Sequence, residues 1–330
     1  AINFAMHDPA LTDNPPALAS NGIRTRSFDF QEHIHNQSHP DIPLFIQRIR
    51  ALTDSYEERF TVAEVGGSHS EREMRTYTAG ETHFNSAYGF NFLYAERLTP
   101  ALVRETVEAW PDETGIGWPS WAFSNHDAPR WISRWVDDAH RTDFARMAML
   151  LFVCLRGNII VWQGEELGLP QVDIEYGQLR DPEAIANWPL TLSRDGTRTP
   201  MPWQAGALHC GFTDGTPWLP LGRDHAALAA DRQEGDGNSL LILTRRLIEF
   251  RNASEALQTG SIRIVEAQGN LLVFERVSEG DDMLCAFNFG PDPLDWAPDQ
   301  PDRWRVIEAV NHETGWALPP FAGLVAGRIA

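Results

Sequence analysis

Four short, continuous apolar runs alternate with segments of helical spacing, and most of them end in polar or charged residues. Phe60 to Glu64 closes on Gly66-Gly67, and a second run spans Ala87 to Leu93. Trp121 to Ser124 ends on Asn125-His126-Asp127, and Asn158 to Trp162 ends on Gln163-Gly164-Glu165-Glu166. Helical periodicity begins after Pro43 (Leu44, Phe45, Ile46, Ile49, Leu52) and returns over Glu71 to Met74, Pro100 to Trp110 and Phe144 to Leu155. Strands without polar alternation are buried on both faces, so the pattern predicts a parallel sheet covered by helices.

Four such units, with polar residues gathered at the strand C-termini, make half of a (β/α)8 barrel. In a barrel of that kind the catalytic groups lie at the C-terminal face and come from several strands. Half a barrel exposes two long parallel edges, a poor stable state. The alternatives are an open doubly wound sheet and a barrel whose first half precedes Ala1. The pattern favours the barrel, an α/β fold over residues 1–251 with long loops at 1–40 and about 167–235. Leu240 to Phe250 is the last amphipathic helix. After Asn252 short alternating segments (Ile262 to Val265, Leu271 to Phe274, Met283 to Phe287) are separated by Gly, Asn and Asp. Residues 252–330 are therefore expected to form a small antiparallel β-sandwich.

The 330 residues hold 27 Lys plus Arg against 46 Asp plus Glu, a formal net charge of −19. A surface that negative repels phosphate backbones and anionic lipid, which argues against nucleic-acid and membrane partners. Its plainest reading is solubility. Cys154, Cys210 and Cys285 are far apart and odd in number, which argues against a disulfide framework or zinc site and fits a reducing, cytoplasmic setting. The longest apolar stretch, Met147 to Leu155, is too short to span a bilayer.

Glu64 stands at the end of an apolar strand. Burial against Val62, Val65 and aromatic neighbours would raise its pKa and suit a general acid; the alternative is a solvated loop glutamate. His126 and Asp127, at the end of the next-but-one strand, can bind a metal, orient one another, hold a polyhydroxylated ligand or simply shape a turn. Two carboxylates at the ends of two barrel strands fit glycoside hydrolysis, in which a carboxyl pair flanks the scissile bond. Arg194 and Arg198 lie in a loop rich in Pro and Trp, where a guanidinium can grip a ligand or pin the loop through an Arg–Asp pair. Trp162, Trp188, Trp203 and Trp218 fall in or near these loops, available for stacking or for packing.

FTVAEVGG, FSNHDAPRW, VWQGEELGLP, RDGTRTPMPWQ and GFTDGTPWLPL occur in an order and spacing that resemble glycoside hydrolase family thirteen, nearest its α-glucosidase and oligo-1,6-glucosidase branch. The resemblance implies that Glu64 is the general acid/base and Asp127 the third carboxylate, which distorts the sugar at the cleavage subsite. It implies that His126 binds sugar hydroxyls. Arg194 would grip the non-reducing-end glucose with an earlier aspartate, and Arg198 is the paired arginine of that motif. Ala63, Trp162 and Pro202 depart from the usual pattern and bear on substrate preference, not on reaction class.

The family's nucleophile is an Asp followed by text like Ile2-Asn3-Phe4 and His7-Asp8, so the expected nucleophile directly precedes Ala1. No nucleophile of that type lies within residues 1–330; the resemblance thus implies that residues 1–251 are the second half of a TIM barrel (strands 5–8), with the missing N-terminal half of the barrel as an expected partner. No cofactor is expected in this chain, and any structural calcium or magnesium site would lie in that missing part. The residue after the nucleophile acts as a linkage selector in this branch, and Ala1 leans toward α-1,4 substrates such as maltose. The implied activity is exo-acting, retaining transfer of glucose from small α-glucosides. The acceptor is left open between water and a sugar or alcohol hydroxyl, with sucrose-using relatives as a further alternative. A non-catalytic binding or assembly subunit is the competing class; such relatives lose the carboxylates that Glu64 and Asp127 retain here.

Overall fold

A computed structural model describes residues 2–18, 24–67, 70–110 and 117–329. In chain order the elements are helix α1 (Ile42–Thr53), strand β1 (Val62–Glu64), α2 (Ser70–Thr78), β2 (Ser86–Gly89), α3 (Pro100–Glu108), β3 (Trp118–Trp121), α4 (Trp131–Arg134), α5 (Arg141–Cys154), β4 (Asn158–Ile159), α6 (Pro182–Ala186), α7 (Ala230–Glu234), α8 (Leu240–Asn252) and α9 (Glu255–Gln258). Strands β5 (Ser261–Gln268), β6 (Leu271–Val277), β7 (Met283–Asn288), β8 (Trp304–Val310) and β9 (Gly323–Arg328) complete the chain. The elements fall into two compact units, residues 1–90, 109–121 and 174–195 in one, residues 91–108, 122–173 and 196–330 in the other.

In the first unit β1, β2 and β3 run parallel, with Ala63 opposite Ala87 and Ala87 opposite Pro119. Gly89 lies opposite Trp121, and a Cβ there would sit 2.3 Å from the indole ring, so the close approach of the two strands requires glycine. Trp110 meets the same indole edge-on at 6.2 Å. Helix α1 starts with Pro43 in its first turn, where the missing N–H costs nothing. It buries Ile42 and Ile46 and leaves Leu44 and Leu52 exposed.

The third strand lies three residues earlier than the apolar run 121–124 predicts. Gly117 and Pro119 disguise it, whereas the hydroxyls of Ser86 and Ser120 meet at 2.6 Å and Ser86 also donates to the Trp118 carbonyl at 2.7 Å. Those side-chain bonds satisfy polar groups that the sheet buries.

In the second unit α5 is apolar on nearly every side and is buried accordingly, from Phe144 to Cys154 with Arg146 alone half-buried in that run. Its end is closed by arginines. Arg276 of β6, fully buried, donates from Nη1 to the Cys154 carbonyl at 2.8 Å and from its other nitrogens to Ser261 at 3.0 Å and Gly260 at 2.9 Å. Arg251 of α8 donates to the Leu155 carbonyl at 3.0 Å. A helix end leaves its last carbonyls without intrahelical partners, and these guanidinium groups supply the donors.

Strands β5 to β9 form one antiparallel sheet in the order β5-β6-β7-β9-β8, with the central β7 buried at every position. Two facing sheets were expected. Among the described residues there is one, because its two covers are not strands. Leu318, Leu294, Trp296 and Trp316 from the connections pack with Val273, Leu284, Ala286 and Leu324 on one face. Helix α5 meets β7, β8 and β9, and Arg276 reaches from β6 to its carboxyl end. The sheet thus belongs to the same compact unit as α5 and α8. No helix among the described residues is long and apolar enough to cross a membrane.

Candidate active site

Glu64 ends β1 opposite Tyr88 of β2. Burial along this strand alternates: Ala63 and Val65 are buried, Val62 and Glu64 exposed. The expected burial of Glu64 against Val62 and Val65 is therefore corrected. Among the described residues β1 is the edge of the sheet, and the carboxylate lies on its exposed face.

The loop after Glu64 is braced by the start of the chain. Asn3, fully buried in the short turn Ile2–Phe4, donates from Nδ2 to the Gly66 carbonyl at 2.6 Å and to Glu73 Oε2 at 2.9 Å. Gln37 donates to the same carbonyl at 2.9 Å, and the Ser38 hydroxyl donates to the other oxygen of Glu73. Ala1 lies outside the described residues.

Arg194 lies in the first unit and its planar fork is committed. Nε and Nη2 grip Asp181 at 3.0 and 2.7 Å, and the Arg194 backbone N–H adds a third bond at 3.0 Å. The Asp181 side chain is only 1% exposed, and its carboxyl is pushed down to about 2, first by the Arg194 hydrogen bond. Asp181 also caps α6 through the Glu183 N–H, and the neighbouring Asp195, fully buried, accepts from the backbone N–H groups of Arg180 and Asp181. This arrangement pins a loop.

His126, Asp127 and Arg198 come together in the second unit. Asn125 Oδ1 accepts the backbone N–H groups of Asp127 and Ala128 at 2.8 and 2.7 Å, a turn that presents the Asp127 carboxylate outward. His126 Nε2 is 3.5 Å from Asp127 Oδ2. Arg198 donates from Nη2 to Asp127 Oδ1 at 2.7 Å and from Nε to the His126 carbonyl at 2.6 Å. Asp127 is 38% and His126 62% exposed, which leaves both open to a ligand. The pairing that sequence reasoning allowed Arg198, an arginine–aspartate pair, exists, but its carboxylate is the candidate site residue itself.

Trp162, noted in the sequence for stacking or packing, and residues that sequence reasoning did not single out hold this cluster. The Trp162 indole, 6.0 Å from the His126 ring, donates to the Thr197 carbonyl at 3.0 Å; the Thr197 hydroxyl donates to the Asn125 carbonyl at 3.2 Å. Arg130 donates to the Gln163 and Thr197 carbonyls at 2.8 and 3.2 Å. Glu165 is buried, accepting the Ser124 hydroxyl on one oxygen and the Trp162 N–H at 2.8 Å on the other. A signal existed in the charged pair Glu165-Glu166 set against the apolar run before it. Trp188, Trp203 and Trp218 are about half exposed or more. Among the described residues no group of three or more His, Cys, Asp or Glu side chains is placed to hold a metal ion.

The model of the α-amylase catalytic domain matches residues 11–260. A probable α-glucosidase of Rhizobium meliloti (strain 1021) is 39% identical over 342 residues, covering 98% of this chain and 61% of the relative. An oligo-1,6-glucosidase of Heyndrickxia coagulans is 26% identical over 312 residues, covering 84% and 56%. The crystal structure of an α-glucosyl transfer enzyme superposes with a TM-score of 0.88 at 34% identity, over 100% of this chain and 63% of its own. The chain thus spans about three-fifths of the length of these proteins. With a catalytic-domain match over most of its length and a 39% identical relative covering nearly all of it, the chain belongs to the α-amylase family.

Proposed function

We propose that this chain carries the acid/base and sugar-binding half of an exo-acting, retaining α-glucosidase that takes glucose from the non-reducing end of small α-glucosides. The observation that carries the reading is the exposed cluster of His126, Asp127 and Arg198, three motif residues held at one surface by the turn of Asn125. Protonated Glu64 gives its proton to the glycosidic oxygen as the C–O bond breaks. The carboxylate expected just ahead of Ala1 attacks the anomeric carbon and forms a glucosyl-enzyme. Glu64, now ionised, takes a proton from the incoming hydroxyl, which displaces the enzyme carboxylate and keeps the α configuration. Retention calls for the two reacting carboxyls to stand about 5–5.5 Å apart. Asp127 and His126 act on the distorted, charge-developing sugar, so their interactions strengthen in the transition state.

Arg198 is assigned the sugar-side role and Arg194 the structural one, since the Arg194 fork is filled by a buried carboxylate. Asn3 supports the acid/base by tying the Ile2–Phe4 turn to the loop after Glu64, and that turn directly follows the expected nucleophile. Ala1 favours maltose-type α-1,4 substrates. Cys154, Cys210 and Cys285, free and buried, suit a cytoplasmic setting. A transglucosylase differs only in the acceptor hydroxyl; the 34% identical transfer enzyme favours testing for it.

The test is Glu64→Gln in the active protein. Turnover of glucosides with poor leaving groups should fall by about three orders of magnitude, while activated aryl glucosides, which leave without a proton, keep their first step. Equal losses on both substrates would remove Glu64 from the acid role.

A further inference from the structure

Glu165 is the most deeply buried carboxyl in the second unit that the mechanism leaves unused. It touches no surface, yet it joins the two segments that build the sugar-facing cluster. Its Oε1 accepts the Ser124 hydroxyl, two residues before His126; its Oε2 accepts the Trp162 N–H at 2.8 Å, and its own N–H returns to the Trp162 carbonyl at 3.0 Å. From Trp162 the connection continues through the indole N–H to the Thr197 carbonyl and through the Thr197 hydroxyl to the Asn125 carbonyl. The circuit closes on the turn that presents Asp127.

Resting on the assignment of Asp127 and His126 to the sugar subsite, we propose that Glu165 is a positioning residue whose ionised carboxylate, shared between Ser124 and Trp162, holds Asp127 and His126 in their working geometry. An ionised carboxylate only accepts, and here both oxygens meet donors. A proton on Oε1 reverses the Ser124 bond. The Ser124 proton, which Oε1 accepted, then needs another acceptor, while Ser124 Oγ keeps the Trp131 N–H at 3.4 Å. A proton on Oε2 faces the Trp162 N–H and breaks that bond instead. A proton on Oε2 thus opens the Trp162 side, and a proton on Oε1 exchanges the charge-assisted Ser124 bond for a weaker neutral one, so either loosens the hold on Trp162 or on His126–Asp127.

Geometry also sets where this happens. Burial pushes Glu165 up to about 7, against the opposing pull of Ser124, the Trp162 N–H and the Arg130 guanidinium, while the Glu166 carboxylate adds to the rise. Arg134, on α4, faces it too, and its charge is coupled to Glu165. The clamp is therefore tight above neutral pH and loosened below it.

The experiment follows the protonated-carboxyl infrared band and kcat against pH in wild type, Glu165→Gln and Ser124→Ala. In wild type the band should titrate near neutral pH, and kcat should fall on the acid side with the same midpoint. Glu165→Gln should lose the band and that acid limb, with kcat down about tenfold and KM changed less, as expected for loss of an interaction felt mainly in the transition state. Ser124→Ala removes a bond that favours the ionised form, so band and limb should both move to higher pH. A merely structural glutamate would change melting temperature and leave the limb in place. The proposal is overturned by a band that titrates in the ordinary carboxylate range, or by an acid limb that Glu165→Gln and Ser124→Ala do not move. The infrared titration requires no activity, so a failure of the α-glucosidase reading alone leaves the band titration standing.

Discussion

Two arginines four residues apart in one motif should fail in opposite ways when removed. Arg194 holds Asp181, whose carboxylate is 1% exposed, through two side-chain bonds. Arg194→Ala leaves that charge buried, with its backbone donors from Arg194 and Glu183 remaining. The carboxyl's fall from 3.8 to about 2 corresponds to about 2 kcal/mol at neutral pH, and breaking a buried pair commonly costs somewhat more. A loss of about 2–3 kcal/mol is expected. Because the folded-state pKa is depressed, this contribution is complete above the unfolded value near 4 and disappears as pH falls toward 2. Wild type and Arg194→Ala should therefore converge in stability between pH 4 and pH 2.

Arg198 and Asp127 are 26% and 38% exposed, so their pair contributes under about 1 kcal/mol to stability. Arg198→Ala instead removes one of the bonds that orient the Asp127 carboxylate, which the proposed function assigns to the sugar. Losing one charge-assisted bond of about 2–3 kcal/mol in the transition state lowers kcat/KM about 30- to 150-fold. Arg198→Lys keeps the charge but cannot make both the Asp127 and His126 bonds, and should recover part of the loss. The assays are urea unfolding at pH 7 and pH 3, and kcat/KM on an aryl α-glucoside. The reasoning fails if Arg194→Ala keeps its stability and loses activity while Arg198→Ala does the reverse.

Arg276→Met should destabilise the protein by about 3 kcal/mol, since it strands the Cys154, Gly260 and Ser261 carbonyls, partly offset by relief of a buried charge; urea unfolding measures it, and a change under 1 kcal/mol would refute the capping role. Asn3→Ala should leave KM for aryl glucosides within about twofold and lower kcat about tenfold, because it unties the loop after Glu64. Steady-state kinetics decides, and an unchanged kcat would remove Asn3 from the site's support.

The first two parallel strands were legible as continuous apolar runs, while the third lay three residues before its run, and the polar residues at the strand ends supplied the site candidates. His126 and Asp127 could be chosen from the triplet at a strand end. What the sequence could not carry is which partner each long polar side chain finds. Arg194 and Arg198 look alike in RDGTRT, and only the fold shows one gripping buried Asp181 and the other Asp127. The exposure of Glu64 escaped for a related reason: alternation over three residues of an edge strand is too short to read. Strands β8 and β9 were hidden by their glycines and charges, and the sandwich expectation failed because tryptophan-bearing connections, not strands, cover the sheet. Glu165 was visible as a charge, but its role depends on Ser124 and Trp162 meeting it in space.

The central claim, that Glu64 is the acid/base of a retaining α-glucosidase, is tested most directly by the product that Glu64→Ala forms from an activated aryl α-glucoside in the presence of azide. Without the acid/base, azide needs no deprotonation and attacks the glucosyl-enzyme. Retention then gives α-glucosyl azide with a rise in rate. Formation of β-glucosyl azide would make Glu64 the nucleophile, and the absence of any azide-dependent product would contradict the account.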